Sequence, residues 1–237
     1  YQWKKGDASG PNVVNDARIS GATTNVLRIT GIIAADAGSY TCVATGSCGA
    51  ESTTPAVLTV NGFINIDVQP SATTTICQGT STEINVTVSG TVVSYQWKKN
   101  GVSLVDAGNI SGVNTAKLTL SNAVLTDAGF YSCEITGTCN VVSTISSELR
   151  VNPSTVISQH PSSVTLCEGD NAQFFVVASG VAPLSYQWQF NNVDILGATS
   201  SSITINGITP ANAGAYTCIV SGASTCGVIT SNPASLT

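Results

Sequence analysis

Asp127-Ala128-Gly129-Phe130-Tyr131-Ser132-Cys133 recurs in this chain as Asp36-Ala37-Gly38-Ser39-Tyr40-Thr41-Cys42 and, with asparagine leading, as Asn212-Ala213-Gly214-Ala215-Tyr216-Thr217-Cys218. Upstream of each copy stands a second mark, Tyr1-Gln2-Trp3, Tyr95-Gln96-Trp97 and Tyr186-Gln187-Trp188. The tyrosines of that mark are 95 − 1 = 94 and 186 − 95 = 91 residues apart, about one small domain. Three copies of one corner therefore predict three copies of one domain.

Motif, order and spacing together resemble the immunoglobulin fold. There a tryptophan on strand C packs in the core, and a tyrosine near the start of strand F bonds back to the preceding corner, two residues before a cysteine. The resemblance covers the whole chain and is closest to the tandem Ig-like modules of very long secreted and surface proteins of bacteria, of adhesin or filament type. It implies an all-β fold of tandem Ig-like antiparallel β-sandwiches with Greek-key connections. Trp3, Trp97, Trp188, Tyr40, Tyr131 and Tyr216 are then the core signature.

The domains expected are 1–60, 61–151 and 152–237. In the first, the chain opens directly on strand C, so it carries strands C to G only. The segments 61–94 and 152–185 supply strands A, A′ and B to the other two. A sandwich without strand B has open edges and a half-covered core. Either the missing part lies upstream, or another chain donates strands.

Asn25-Val26-Leu27-Arg28-Ile29 alternates as strand E, with Leu27 and Ile29 inward. Leu118/Leu120 and Ile203/Ile205 hold the same places, since 36 − 27, 127 − 118 and 212 − 203 all equal 9. Length varies instead between strands C and E, where loops change without touching the core. The linkers Val60-Asn61-Gly62-Phe63-Ile64 and Val151-Asn152-Pro153 are short and lead to Gln69-Pro70 and His160-Pro161. Proline limits their bending, so beads in an extended row are expected. His160, the single histidine, is read as structural.

Eight cysteines carry the most informative chemistry. The resemblance implies a bridge from strand B to strand F. Seven residues on from Gly79 and Gly169, where such domains place the strand B cysteine, stand Val86 and Val176, so that bridge cannot form. A three-residue F–G loop at Ala44-Thr45-Gly46 sets Cys42 opposite Cys48, and Ile135-Thr136-Gly137 sets Cys133 opposite Cys139. The third spacing, 226 − 218 = 8 against 48 − 42 = 6, keeps Cys218 and Cys226 on one face. Bridges 42–48, 133–139 and 218–226 are the leading expectation. Cys77 and Cys167 remain, both before the A–B turn at the far end of the sandwich, unpaired or available for a bond between domains or chains. The rival pairing joins neighbouring domains, Cys77 with Cys226, and leaves Cys133 a buried thiol. Disulfide-compatible cysteines point to an oxidising, extracellular or cell-surface setting.

The chain is 42% hydrophobic and 9% charged, lacks methionine, and carries a net charge of −5 with pI near 4.6. This composition suits many short strands rather than disorder. Residues 152–237 hold no Lys or Arg, and no basic face exists for nucleic acid. No apolar run is long enough to span a membrane.

Catalytic patterns are scarce: no Gly-rich phosphate cradle, no H-E-x-x-H and no Gly-x-Ser-x-Gly elbow. Asp36 and Asp127 are read as capping their own turn, a role Asn212 can share although it cannot act as a base. Neither zinc nor calcium is expected, because no C-x-x-C exists and the carboxylates are dispersed. No cofactor is expected either. Lys4-Lys5 and Lys98-Lys99 are read as a solvated edge, replaced by Gln189 and Phe190 in the third repeat. Phe190 is the candidate for a sugar or partner contact, against a core role.

The sequence therefore predicts an extracellular structural or adhesive array without catalysis, a stalk or filament subunit. Its partners would be other Ig-like repeats of the same or neighbouring chains, strand donation included, and surface glycans or proteins. The alternative is an ancillary carbohydrate- or protein-binding module of a secreted enzyme.

Overall fold

Alternation of large apolar and small polar residues builds the sheets from short strands. The computed structural model describes residues 1–223 and 226–237, and its only helical pieces among them are three 3-10 turns, Ala34–Asp36, Leu125–Asp127 and Pro210–Asn212. Contacts divide the chain into two compact units, residues 1–67, 88–94 and 135–142 in one, and residues 68–87, 95–134 and 143–237 in the other.

In the first unit, the strand Gly38–Gly46 pairs antiparallel with Gln2–Lys5, Trp3 lying opposite Cys42. It also pairs with Gly49–Ser52 and Ala56–Leu58. Of the expected strand E only Arg28–Ile29 joins a ladder, against Ile19–Ser20. Leu27 and Ile29 still point inward. They pack with Trp3, Ile19 and Leu58 around buried Val13, Ala22 and Tyr40.

In the second unit, Lys117–Leu120 and Thr82–Asn85 pair so that Leu118 faces Ile84, and Leu118 and Leu120 are fully buried. The opposing layer contains Ser147–Asn152, antiparallel to the start of Gly129–Gly137 and parallel to Thr73–Cys77. The next repeat copies this plan. Ala172–Phe175 pairs with Ser202–Ile205, while Ser185–Phe190, Gly214–Ser221, Val228–Thr230 and Ala234–Leu236 form the opposing sheet. Between its layers lie Phe174, Trp188, Tyr216, Cys218 and Val220. Phe174 stacks on Tyr216 at 4.8 Å between ring centroids. Val86 and Val176, at the places of the absent strand B cysteines, are buried. The fold is all-β and Ig-like.

The recurring corner shows why its residues recur. Tyr40, Tyr131 and Tyr216 each donate the phenol O–H to the carbonyl four residues back, on Asp36, Asp127 and Asn212, at 2.7, 2.7 and 2.9 Å. The carboxylates of Asp36 and Asp127 and the amide oxygen of Asn212 accept from the N–H three residues before, each at 2.8 Å. The 3-10 turn is thus closed by a side chain that needs only an acceptor, which is why asparagine substitutes.

Candidate functional site

The F–G hairpins do not turn where the sequence suggested. Gly46 pairs with Gly49, so the loop is the two residues Ser47-Cys48 rather than Ala44-Thr45-Gly46. Gly49 at φ +143° accommodates the tight reversal as a side-chain-bearing residue would not. Cys48 therefore sits exposed at the hairpin tip, while buried Cys42 faces Thr53, whose hydroxyl accepts the Cys42 N–H at 3.1 Å. Gly137 likewise bonds to Asn140 across Thr138-Cys139. Cys133 lies opposite Thr144, at 2.9 Å from its hydroxyl. Cys218 is matched with Ser231 in the same way, also at 2.9 Å. Bridges 42–48 and 133–139 are thus not formed: parity of spacing put the two cysteines on one face but did not set the turn. A hydroxyl recurring 11, 11 and 13 residues after the corner cysteine (53 − 42, 144 − 133, 231 − 218) was the signal for this register.

The 218–226 bridge is not made either, because Cys226 is bonded to Cys77, with Cα atoms 5.2 Å apart across 149 residues. Cys77 ends the strand that runs parallel to Ser147–Asn152, opposite Asn152 itself. Cys226 lies on the F–G loop of the following repeat. The bond therefore ties the A′–B turn of one repeat to the F–G tip of the next. Cys42, Cys48, Cys133, Cys139, Cys167 and Cys218 are free thiols.

The immunoglobulin domain profile matches residues 65–136 and 155–222, more than half of the chain. The chain belongs to the immunoglobulin domain family. Human peroxidasin homolog is 27% identical over 239 residues, covering 92% of this chain and 15% of that protein. Rat neogenin is 28% identical over 240 residues, covering 92% and 17%, and human hemicentin-1 is 27% identical over 233 residues, covering 91% and 4%. The chain thus spans under a fifth of the length of each of these animal proteins. Among solved structures, an I-band fragment of titin superposes with a TM-score of 0.69 at 22% identity, covering 99% of this chain and 86% of that one. The insect immune protein hemolin gives 0.56 at 19%, covering 99% and 66%.

The immunoglobulin repeats here also grip the linkers that lead into them. Ile64 exchanges hydrogen bonds of 2.8 and 3.0 Å with the Asn140 side chain on the F–G turn. A Cβ on Gly137 would stand 2.6 Å from Ile64 Cδ1, and one on Gly90 only 2.2 Å from the Phe63 carbonyl oxygen. Thr155 takes the place of Ile64 in the next immunoglobulin repeat. Its N–H donates to the Cys226 carbonyl at 3.3 Å, and its hydroxyl lies 3.1 and 3.2 Å from Cβ positions built on Gly180 and Gly222. Gly90 also holds φ +96°. Gly90→Val is therefore expected to lower stability by about 2–3 kcal/mol, read as a downshift of the calorimetric transition. Wild-type melting behaviour would show that the linker moves aside freely.

Side chains the sequence reading set in solvent instead brace the corner. Lys5 and Lys99 donate to the carbonyls of Ala35 and Thr126 in the 3-10 turns, with each ammonium about 6 Å from the corner tyrosine ring. In the third immunoglobulin repeat Phe190 takes the lysine's place, 5.0 Å from the Tyr216 ring. It packs on the core rather than forming a platform for sugar. His160 accepts the Asn232 N–H at Nδ1, 3.0 Å, as Gln69 accepts the Ile145 N–H in the preceding repeat. Asn109 donates its side-chain amide to Asp127 at 2.7 Å.

Electrostatic perturbation is marked at Asp36 and at two buried thiols. The Arg18 guanidinium, bonded to both Asp36 oxygens at 2.7 and 3.1 Å, and the Ile33 N–H hold the Asp36 carboxyl down at about 2. A carboxylate depressed in the fold stabilises it above the ordinary value of 3.8, and that contribution is lost as pH falls toward 2. Arg18→Ala is expected to return the Asp36 titration, followed by NMR, toward 3.8. An unchanged titration would assign the shift to the backbone alone. Burial pushes Cys133 and Cys218 up to about 11, which suppresses the reactive thiolate. Alkylation of the native protein near neutral pH should therefore modify exposed Cys48, Cys139 and Cys167 and spare Cys133 and Cys218, as counted by intact mass.

Among the described residues no group of His, Cys, Asp and Glu is placed to hold a metal ion, and no helix is long and apolar enough to cross a membrane. A cleft of about 280 Å³ lies beside Leu166, Ile208, Pro210 and Leu236, with Glu168 its one titratable lining residue. Its other polar lining residues are Thr209 and Thr237.

Proposed function

We propose that this chain is a non-catalytic segment of an extracellular structural or adhesive array, with domain boundaries at 1–60, 61–151 and 152–237. The Cys77–Cys226 bond carries the reading. A covalent tie between consecutive repeats serves where spacing and tension must be passed along a chain, and a disulfide persists in oxidising surroundings.

Support also comes from the company the chain keeps. The matched proteins include the core protein of a basement-membrane heparan sulfate proteoglycan and the extracellular domains of Drosophila OTK. The hemolin structure is described in connection with homophilic adhesion. Tandem immunoglobulin repeats are the shared feature, and their partners are other repeats and surface proteins. A stalk or filament of the bacterial surface type is the finer reading, while the matched relatives are animal proteins. The sugar-binding alternative loses its aromatic candidate, since Phe190 is spent on Tyr216.

Rotary-shadowed electron microscopy tests the proposal. Extended particles or fibres are expected. Compact single particles that bind a glycan array would overturn it.

A further inference from the structure

Strand E of repeat three has an edge that the other two repeats cover. In repeat two Lys117–Leu120 lies between Thr82–Asn85 and the short strand Ile110–Ser111, with Ile110 opposite Leu120 and Ser111 opposite Thr119. In repeat one Ile19–Ser20 stands in the same register, Ile19 opposite Ile29. Among the described residues Ser202–Ile205 pairs on one side only, with Ala172–Phe175. The connection leading into it is six residues shorter. Val13, Leu104 and Ile195 donate to the carbonyl of their repeat's tryptophan, whose own N–H donates to the carbonyl of Ala22, Val113 or Ala198, and these pairs are 22 − 13 = 9, 113 − 104 = 9 and 198 − 195 = 3 residues apart. The glycine before the last position, Gly21, Gly112 or Gly197, holds φ of +79°, +82° and +79°. The turn into strand E is therefore kept, and Arg18-Ile19-Ser20 and Asn109-Ile110-Ser111 have no counterpart in repeat three.

What that strand does in repeats one and two is left undone here. Thr30 and Ser121 N–H donate to the carbonyls of Arg18 and Asn109 at 2.9 and 2.8 Å, whereas the equivalent Asn206 N–H has no partner among the described residues. Val176 N–H bonds to Ser201 O, so the antiparallel alternation turns the N–H and C=O of Ser202 and Thr204 toward the same open edge. Leu118 and Leu120 are fully buried, but Ile203 and Ile205 are half-buried and open, with Phe190, Ile195 and Tyr216, into a cleft of about 310 Å³. Arg18 and Asn109 reach the corner carboxylates of Asp36 and Asp127 at 2.7 Å. Asn212, the matching corner residue, gives its Oδ1 to the Thr209 N–H and hydroxyl at 2.8 and 3.0 Å, and its Nδ2 has no partner among the described residues. We propose that this edge is a docking seat for an extended segment of another polypeptide, which lies antiparallel to Ser202–Ile205 as the strand that repeat three lacks. The two covered repeats define its chemistry: an aliphatic residue opposite Ile205 enters the cleft, and the residue before it gives its carbonyl to Asn206 N–H and a side-chain acceptor to Asn212 Nδ2. The seat belongs to repeat three alone and stands whether or not the chain serves as an array.

The test titrates the isotopically labelled full chain with a capped synthetic peptide copying residues 105–113, which contain the covering strand of repeat two. Saturable shifts of the Thr204 and Asn206 amide resonances are expected, with slower exchange of both amides with solvent. The same peptide carrying Ile110→Asp should bind about tenfold more weakly or worse, the factor an aliphatic side chain contributes on entering an apolar seat. Inserting a copy of residues 106–111 between Leu196 and Gly197 fills the seat from within and should abolish the shifts. Thr204→Pro should abolish them too, since it removes only an outward N–H, which an edge strand tolerates. Unmoved Thr204 and Asn206 resonances at millimolar peptide, equal binding of the Ile110→Asp peptide, or binding that survives the insertion would overturn the proposal. Protection of the two amides that grows with protein concentration alone would assign the edge to a second copy of the chain and overturn it equally.

Discussion

Cys77→Ser is expected to lower the stability of the second unit by about 2–4 kcal/mol and to change how the chain bears load. The disulfide closes a loop of 149 residues. Its loss restores to the unfolded chain the freedom that this closure removes, and long loops lie toward the upper part of that range. Guanidinium titration followed by Trp97 and Trp188 fluorescence measures the loss, with Cys167→Ser as the control that leaves the closed bond intact. The mechanical consequence is larger. When force acts on the two ends, the closed bond carries it from residue 77 to residue 226 and leaves the intervening residues out of the path. Reduction or Cys77→Ser should add roughly 500 Å of extension when the chain is pulled out, at about 3.4 Å per residue. Equal extension in oxidised and reduced protein would show that the two cysteines are not joined.

Trp97→Ala and Trp188→Ala are each expected to cost about 3–5 kcal/mol, while Trp3→Ala should cost below about 2 kcal/mol. The three indoles share sequence context and the same hydrogen bond, donating to the carbonyls of Thr24, Thr115 and Ser200 at 2.9–3.0 Å. Their burial differs. Trp97 and Trp188 are wholly buried, whereas Trp3 is half-buried over a cluster whose buried members are only Val13, Ala22 and Tyr40. Truncation leaves a cavity in the first two cases and a surface notch in the third. For a domain of this size the larger losses correspond to a fall in melting temperature of about 12 °C or more. Equal effects at all three tryptophans would refute the difference in core depth.

Much of this was legible without coordinates because it repeats. The corner tyrosines, the strand C tryptophans and the inward leucines and isoleucines of strand E stand at fixed spacings, and each packs inward as its periodicity requires. Asp36 and Asp127 were recognisable as turn caps because Asn212 replaces them. The lysine and Phe190 contacts on the corner tyrosines were not recognisable. Strand alternation says which face a side chain leaves from, not which way a long side chain then lies.

The cysteines divide the two kinds of information most sharply. Spacing by itself determined that Val86 and Val176 replace the strand B cysteines, and that Cys77 and Cys167 belong to a class apart from the corner cysteines. The recurring corner, its caps and its inward-facing residues also followed from the sequence, since those are local or periodic properties. Tertiary structure decided the partners. A two-residue turn at Ser47-Cys48 carries Cys48 away from Cys42. A disulfide needs Cα atoms within about 7 Å, and the 5.2 Å between Cys77 and Cys226 exists only once two sandwiches have folded and the linker between them is seated.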